Sequence, residues 1–355
     1  MSILNPVIEA RLQSLIYKVR FLGLYIFFGF ISVILELILL DYFIKVGFEN
    51  NFSILISILI GILFAFFANV KFNFNIPRSR RNRALLYFIL ISLFSSFIQW
   101  NFGRLTFFES FNYEIQRLTI SGALFMIGYI LHRRYSFRDY KKVGVAVYAN
   151  GVENLKKIHD RIGQHCDFIH VDVVDNTMSK EAEEIKAYKI ETMKAYWPNS
   201  QIQTHIMSKN PSIWIDQVLP HSDVVYVHAE SEEDVVIILE EIKNQGKHPG
   251  LALTLDTDPE SIIKLLKKAS YVLLLTIPKP GFSGQKFSMD AIGRIKQINN
   301  LPFRDKFTLC VDGGVNENIV SLLDAENIVS GSSVLRNQNP KKQIMRLQTM
   351  GRYEA

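Results

Sequence analysis

The sequence predicts two fold classes in series: an all-α membrane domain of four transmembrane helices over residues 1–140, then an α/β domain over 141–355, a (β/α)8 TIM barrel. Three observations predict it. Residues 21–131 are dominated by Phe, Ile, Leu and Ser with charges held in short clusters, whereas from Lys142 onward Asp, Glu and Lys are spread throughout. The basic clusters flank the apolar stretches at every second loop, as in a multi-pass membrane protein. The second half alternates short β-branched runs with longer amphipathic ones, giving eight strands in a little over two hundred residues. An open doubly wound sheet has fewer strands and opens on a glycine-rich turn that is missing here.

A membrane span needs about twenty mainly apolar residues. Four stretches qualify, roughly 21–44, 51–73, 84–103 and 115–133. The last two are weaker, because Gln99, Asn101 and Arg104 crowd one end and Gln116 and Arg117 the other; the alternative is that one of them lies in the interface. The first has no small-residue cleavage site and is too long for a signal-peptide core, so it reads as a retained helix. Arg11, Lys18 and Arg20 precede the first span, Arg78, Arg80, Arg81 and Arg83 separate the second from the third, and Arg133, Arg134, Arg138, Lys141 and Lys142 follow the fourth. The other loops are acidic and poor in bases. The positive-inside rule therefore puts both termini, and the barrel, on the cytoplasmic side of the cell's inner membrane.

The net charge of +6 is accounted for by these bases, and no nucleic-acid motif accompanies them. Cys166 and Cys310, the two cysteines, lie in apolar strand-like runs and read as buried reduced thiols.

A short repeat links the helices. Asn69-Val70-Lys71-Phe72-Asn73-Phe74 closes the second span and His132-Arg133-Arg134-Tyr135-Ser136-Phe137 closes the fourth. Both run polar, any, basic, aromatic, small polar, Phe, which suggests two related hairpins; the plainer alternative is a pair of basic-aromatic interface belts. On these residues the segment from about 15 to 140 resembles the GtrA-like family of small four-helix membrane proteins. The resemblance implies a part in moving or handling polyprenyl-phosphate-linked sugars during surface polysaccharide biosynthesis. Glu36, mid-span in the first helix, is either a site residue or a packing glutamate.

In the second half, strands are predicted at Val143–Tyr148, Phe168–Val173, Ile202–Ile206, Val224–His228, Leu251–Leu255, Tyr271–Thr276, Phe307–Val311 and Asn327–Ser330. Helices are predicted between them, at Glu153–Ile162, Glu181–Tyr196, Glu232–Lys243, Pro259–Lys268 and Ile292–Asn299, with Asp258-Pro259-Glu260 as a helix start.

Barrel chemistry sits at the C-terminal ends of the strands. There, strand two carries His170 and Asp172 on one side, strand three ends at His205, and strand seven ends at Asp312. Two imidazoles and two carboxylates form a donor set suited to a divalent Zn, Fe, Mn or Co ion. A lone strand histidine is usually structural; four such groups at three strand ends are not easily so. Glycines let backbone N–H groups approach an anion, and the late loops supply them: Gly281, Phe282, Ser283 and Gly284 after strand six, Gly313 and Gly314 after strand seven, Gly331 and Ser332 after strand eight.

Together these residues resemble the ribulose-phosphate 3-epimerase family, in order through HVDVVD, THIMSKNP, the VHAE at His228, GLALTLDTDPE, LLLTIPKPGFSGQKF, VDGGVN and VSGSSVL. The resemblance implies an isomerase that inverts C3 of a ketose phosphate, D-ribulose 5-phosphate and D-xylulose 5-phosphate or a close analogue. It also implies metal ligands His170, Asp172, His205 and Asp312, with Asp172 and Asp312 doubling as the acid/base pair, and a homo-oligomer. Three departures bear on the sugar more than on the reaction. The family's strand-one serine aligns with Val145, Val174-Asp175-Asn176-Thr177-Met178 replaces the usual turn after strand two, and the strand-six loop from Thr276 to Pro280 is one residue longer. The alternative function is a lipid-linked sugar handling or translocation protein whose barrel binds sugar phosphate without turnover.

Overall fold

The computed structural model describes residues 6–102, 113–148, 155–178, 190–282 and 284–348. It forms two compact units, one of residues Lys18–Tyr140 and one built on Lys141–Ala355.

The first unit is helical: α1 (Pro6–Val46, which begins before it), α2 (Asn50–Asn69), α3 (Arg81–Phe102) and α4 (Tyr113–Leu131). Among the described residues, Phe21–Val46, Asn50–Phe74 and Arg81–Ile98 are long and apolar enough to cross a membrane, while α4 is helical where a fourth span is expected. Phe30, Leu37, Ile38, Phe94 and Phe97 are exposed on this unit, as on a surface meant for lipid rather than water. Between α1 and α2, Ser32 donates to the Gly61 carbonyl at 2.8 Å, and half-buried Glu36 lies at the same crossing.

Both copies of the sequence repeat form a single π-helical turn, Val70–Phe74 after α2 and His132–Ser136 after α4. A π turn takes an extra residue and re-aims the side chains around it. In each copy the polar residues four apart pair with one another: Asn73 Nδ2 donates to Asn69 Oδ1 at 3.0 Å, and His132 Nδ1 meets Ser136 Oγ at 3.1 Å. The closing residues Phe74 and Phe137 stack with centroids 4.2 Å apart and planes 9° apart. Both phenylalanines are buried, so the repeat fastens the two hairpins together and is more than an interface belt.

The second unit is a closed barrel of eight parallel strands in the order β1 to β8. They are β1 (Lys142–Tyr148), β2 (Phe168–Val174), β3 (Gln201–Met207), β4 (Val224–His228), β5 (His248–Leu253), β6 (Tyr271–Leu275), β7 (Thr308–Asp312) and β8 (Asn327–Ser330). Closure leaves no unpaired strand edge. Outward residues such as Ile169, Val171, Ile202 and Ile206 join a large apolar layer with the surrounding helices. Inward residues fill the interior, where Phe168 and Tyr226 take the space that small neighbours leave. A Cβ on Gly144 would lie 2.1 Å from the Phe168 ring, so that ring fits only because strand one is bare there.

Three expectations need correction. β5 begins at His248 and ends at Leu253, because its ladder with β4 starts at the pair Val224 and His248 rather than at the apolar run. Asp258-Pro259-Glu260 forms a turn, with the Asp258 carboxylate and carbonyl taken by the Glu260 N–H and the Ser261 hydroxyl at 3.3 and 2.7 Å. Such local bonds compete with a helix, and the only helix there is the short Ile263–Leu266. After β7 the chain reaches β8 through turns with no α-helix, so the strand–helix alternation lapses once. Residues 153–154 and 181–189 of the predicted helices lie outside the described residues.

Candidate active site

The barrel brings all four predicted donors to its C-terminal rim. Asp172 and His205 are direct partners in the ladder of β2 and β3, and His170 precedes Asp172 by two residues on the same inward face. Asp312 closes β7 across the mouth. Its carbonyl accepts both the Thr276 N–H at 2.7 Å and the Thr276 hydroxyl at 2.8 Å, which fixes the strand end.

One ligand atom from each of His170, Asp172, His205 and Asp312 can be chosen so that all lie within 4.8 Å of one another. His170 Nε2 stands 3.4 Å from Asp172 Oδ1 and 3.7 Å from Asp312 Oδ2, and His205 Nδ1 stands 3.4 Å from the same Asp172 oxygen. These gaps are too long for good hydrogen bonds. Both ring nitrogens of His170, Asp172 Oδ1 and His205 Nδ1 are buried with no hydrogen-bond partner. Buried polar atoms are almost always paired, and three of these, His170 Nε2, Asp172 Oδ1 and His205 Nδ1, face one another without pairing. Two donors each about 2.1 Å from one ion at the tetrahedral angle lie about 3.4 Å apart. The residues therefore fit a divalent cation.

The charges are arranged unequally. Burial opposes ionisation of Asp172, but the flanking His170 and His205 hold its carboxyl well below the usual range. Burial, with the Asp172 charge behind it and His170 against it, pushes Asp312 up to about 7. Burial also works against a charged His170, yet the two carboxylates raise its pKa overall, while His205 is lowered to about 4, chiefly by burial. Two carboxyl groups pushed apart in this way are what an acid/base pair requires.

Beside the cluster lies a cavity of about 110 Å³ lined by Asp172, Asp312 and the late loops. Gly281, Phe282, Gly284, Gly313, Gly314, Gly331 and Ser332 all face it; Ser283 lies outside the described residues. Gly314 has φ +67°, and a Cβ there would sit 2.3 Å from the Phe287 backbone nitrogen, so no side chain is tolerated.

The structure also supplies residues that the sequence reading passed over. Arg336 lines the cavity on the side of the glycine loops, directly after the VSGSSVL motif that could have flagged it. Val145 is corrected: it faces outward into the apolar layer, and Ala146 is the strand-one residue at the cavity. The departing turn after β2 is held by Asp175, which accepts from the Thr177 N–H and the Trp214 indole, each at 2.9 Å. Behind His205, His228 and Glu230 form a hydrogen-bonded chain, His205 Nε2 to His228 Nε2 at 2.9 Å and His228 Nδ1 to Glu230 Oε2 at 2.8 Å.

A TIM barrel with clustered His and Asp side chains beside a glycine-lined cavity at its C-terminal rim is a barrel enzyme by class, here in a chain that also carries a helical membrane domain. Residues 143–335 match the ribulose-phosphate 3 epimerase family, and residues 24–142 match the GtrA/DPMS transmembrane domain. The chain is 33% identical over 198 residues to the ribulose-phosphate 3-epimerase of Helicobacter pylori, covering 52% of this chain and 87% of that protein. It is 29% identical over 185 residues to the Bacillus subtilis enzyme of the same name, covering 50% and 84%, and 27% over 203 residues to that of Aquifex aeolicus, covering 55% and 89%. The chain belongs to the ribulose-phosphate 3-epimerase family.

Proposed function

We propose that the barrel is a working metal-dependent epimerase that inverts C3 of a ketose phosphate, D-ribulose 5-phosphate and D-xylulose 5-phosphate or a close analogue. The observation that carries this reading is the set of unpartnered buried donors beside a glycine-lined cavity. His170, Asp172, His205 and Asp312 would hold the ion, whose chemistry is Lewis-acid polarisation of the carbonyl next to C3. Asp172 and Asp312 do the proton work: one takes the C3 proton as a carboxylate and the other, protonated, returns one to the opposite face. Backbone N–H groups of the loops at Gly281–Gly284, Gly313–Gly314 and Gly331–Ser332 receive the phosphate, and Arg336 adds a positive charge beside them.

The same reading assigns residues 1–140 to the membrane module and 141–355 to the enzyme, which works on the cytoplasmic face of the inner membrane as a homo-oligomer. The distribution of Arg and Lys supports that orientation. The GtrA-like half supports service to surface polysaccharide synthesis and contact with polyprenyl-phosphate-linked sugar. Both native cysteines are buried, so single cysteines placed in the loops report sidedness by labelling.

The test uses the full chain in detergent with a divalent metal supplied. In D2O it should place deuterium at C3 of D-ribulose 5-phosphate, and Asp172→Asn should reduce the exchange by at least about a thousandfold. Metal-loaded protein that exchanges no ketose phosphate would move the barrel to a binding role.

A further inference from the structure

The chain behind His205 does more than fill space. Glu230 Oε1 accepts from the Thr254 N–H at 2.9 Å, from the Thr254 hydroxyl at 3.0 Å, and from the Thr257 hydroxyl. Three donors on one oxygen mark an ionised carboxylate, which can only accept. Its other oxygen therefore accepts a hydrogen bond from His228 Nδ1–H. With Nδ1 protonated, a neutral His228 has only a lone pair at Nε2. The facing nitrogen, His205 Nε2 at 2.9 Å, must then carry the hydrogen. That leaves the lone pair of His205 on Nδ1, the unpartnered atom that faces Asp172. His205 and His228 are fully buried, so no water substitutes for either step.

We propose that Glu230 and His228 are positioning residues that dictate the tautomer of His205, so that Nδ1 is always the nitrogen presented to the cation. The inference rests on the metal-holding reading above, and it is tested by cation affinity rather than turnover. Ligand histidines commonly owe their tautomer to the partner on the other ring nitrogen, and losing that partner weakens binding about 10- to 100-fold. Glu230→Gln should reverse the order of donors. Its amide oxygen stays with the three donors and its NH2 turns to His228 Nδ1, which must now accept. His228 then donates from Nε2, and the proton on His205 is driven to Nδ1. His228→Gln, by contrast, can offer its amide oxygen to His205 whatever residue 230 presents.

The experiment titrates metal-stripped full chain in detergent with Co²⁺ against a competing chelator, reading the visible absorption of the bound ion. Glu230→Gln should weaken binding at least about tenfold, whereas His228→Gln and the double variant should stay within about threefold of the parent. Recovery in the double variant is the decisive sign, since a packing role for Glu230 would leave the double as weak as the single. Equal affinity of Glu230→Gln and the parent, or no recovery in the double, overturns the proposal. If the parent itself takes up no Co²⁺, the metal-holding reading fails first. Should Glu230→Gln not fold, His228→Leu against His228→Gln carries the test alone: a tenfold gap is expected, and equal affinities overturn it.

Discussion

Two buried polar clusters lie at opposite ends of the barrel, and they differ in one respect. At the N-terminal ends of β7 and β8, Arg304 Nη2 donates to both oxygens of Glu326, at 2.9 and 2.7 Å. Its Nε and Nη1 reach Asn299 Oδ1 at 2.6 Å and the Phe307 carbonyl at 2.9 Å, and the Leu309 N–H completes Glu326 at 2.8 Å. At the C-terminal ends, four atoms of His170, Asp172 and His205 are buried and make no hydrogen bond within the chain. One cluster is complete within the chain. The other presents donors that a divalent cation would fit. A barrel that keeps stability at its bottom and chemistry at its top should show this asymmetry.

The contrast can be broken from either end. The largest effect on stability is expected at the closed cluster. Arg304→Met strands a buried carboxylate and should cost the folded barrel about 3–5 kcal/mol, read by denaturant unfolding of the detergent-solubilised chain. A loss below about 1 kcal/mol would mean that the cluster is wetter than its geometry implies.

At the open cluster the sensitive quantity is pH. Asp312, pushed up to about 7, holds a proton below that pH, and the raised His170 adds a second as pH falls. A cation must displace them. Each proton displaced contributes about tenfold per pH unit, so affinity should climb between about tenfold and a hundredfold per unit from pH 5 toward 7 and more slowly above, with protons released on binding. Calorimetry in buffers of different ionisation heat counts them, and a pH-independent affinity would contradict the assignment.

The smallest effect is expected at the surface. Lys268 and Glu240 approach to 2.7 Å but are each about half exposed. Lys268→Ala should shift stability by no more than about 0.5 kcal/mol, which sets the scale against which the buried clusters stand out.

Much of this was legible in the sequence, for identifiable reasons. Strand alternation put His170 and Asp172 on one face, and the rule about strand ends pointed His205 and Asp312 at the same mouth. The glycine loops were visible because backbone approach leaves a residue type behind. Strand one misled because its inward residues, Gly144 and Ala146, are small to admit the Phe168 ring, and the alignment put the family's serine at the outward Val145 instead. Arg304 and Glu326 are 22 residues apart, and nothing in their types announces a pair. His228 and Glu230 stood inside a quoted motif, yet their role appears only when β4 places one ring against His205. In the helical unit the repeat was readable, but the π turns that let its polar residues pair were not.

The open cluster is tested most directly by counting ions. Metal-stripped full chain should take up one divalent cation per chain, and His205→Ala and Asp312→Asn should each abolish stoichiometric uptake while the chain still folds. Uptake that persists undiminished in both variants, or that never occurs in the parent, would contradict the account.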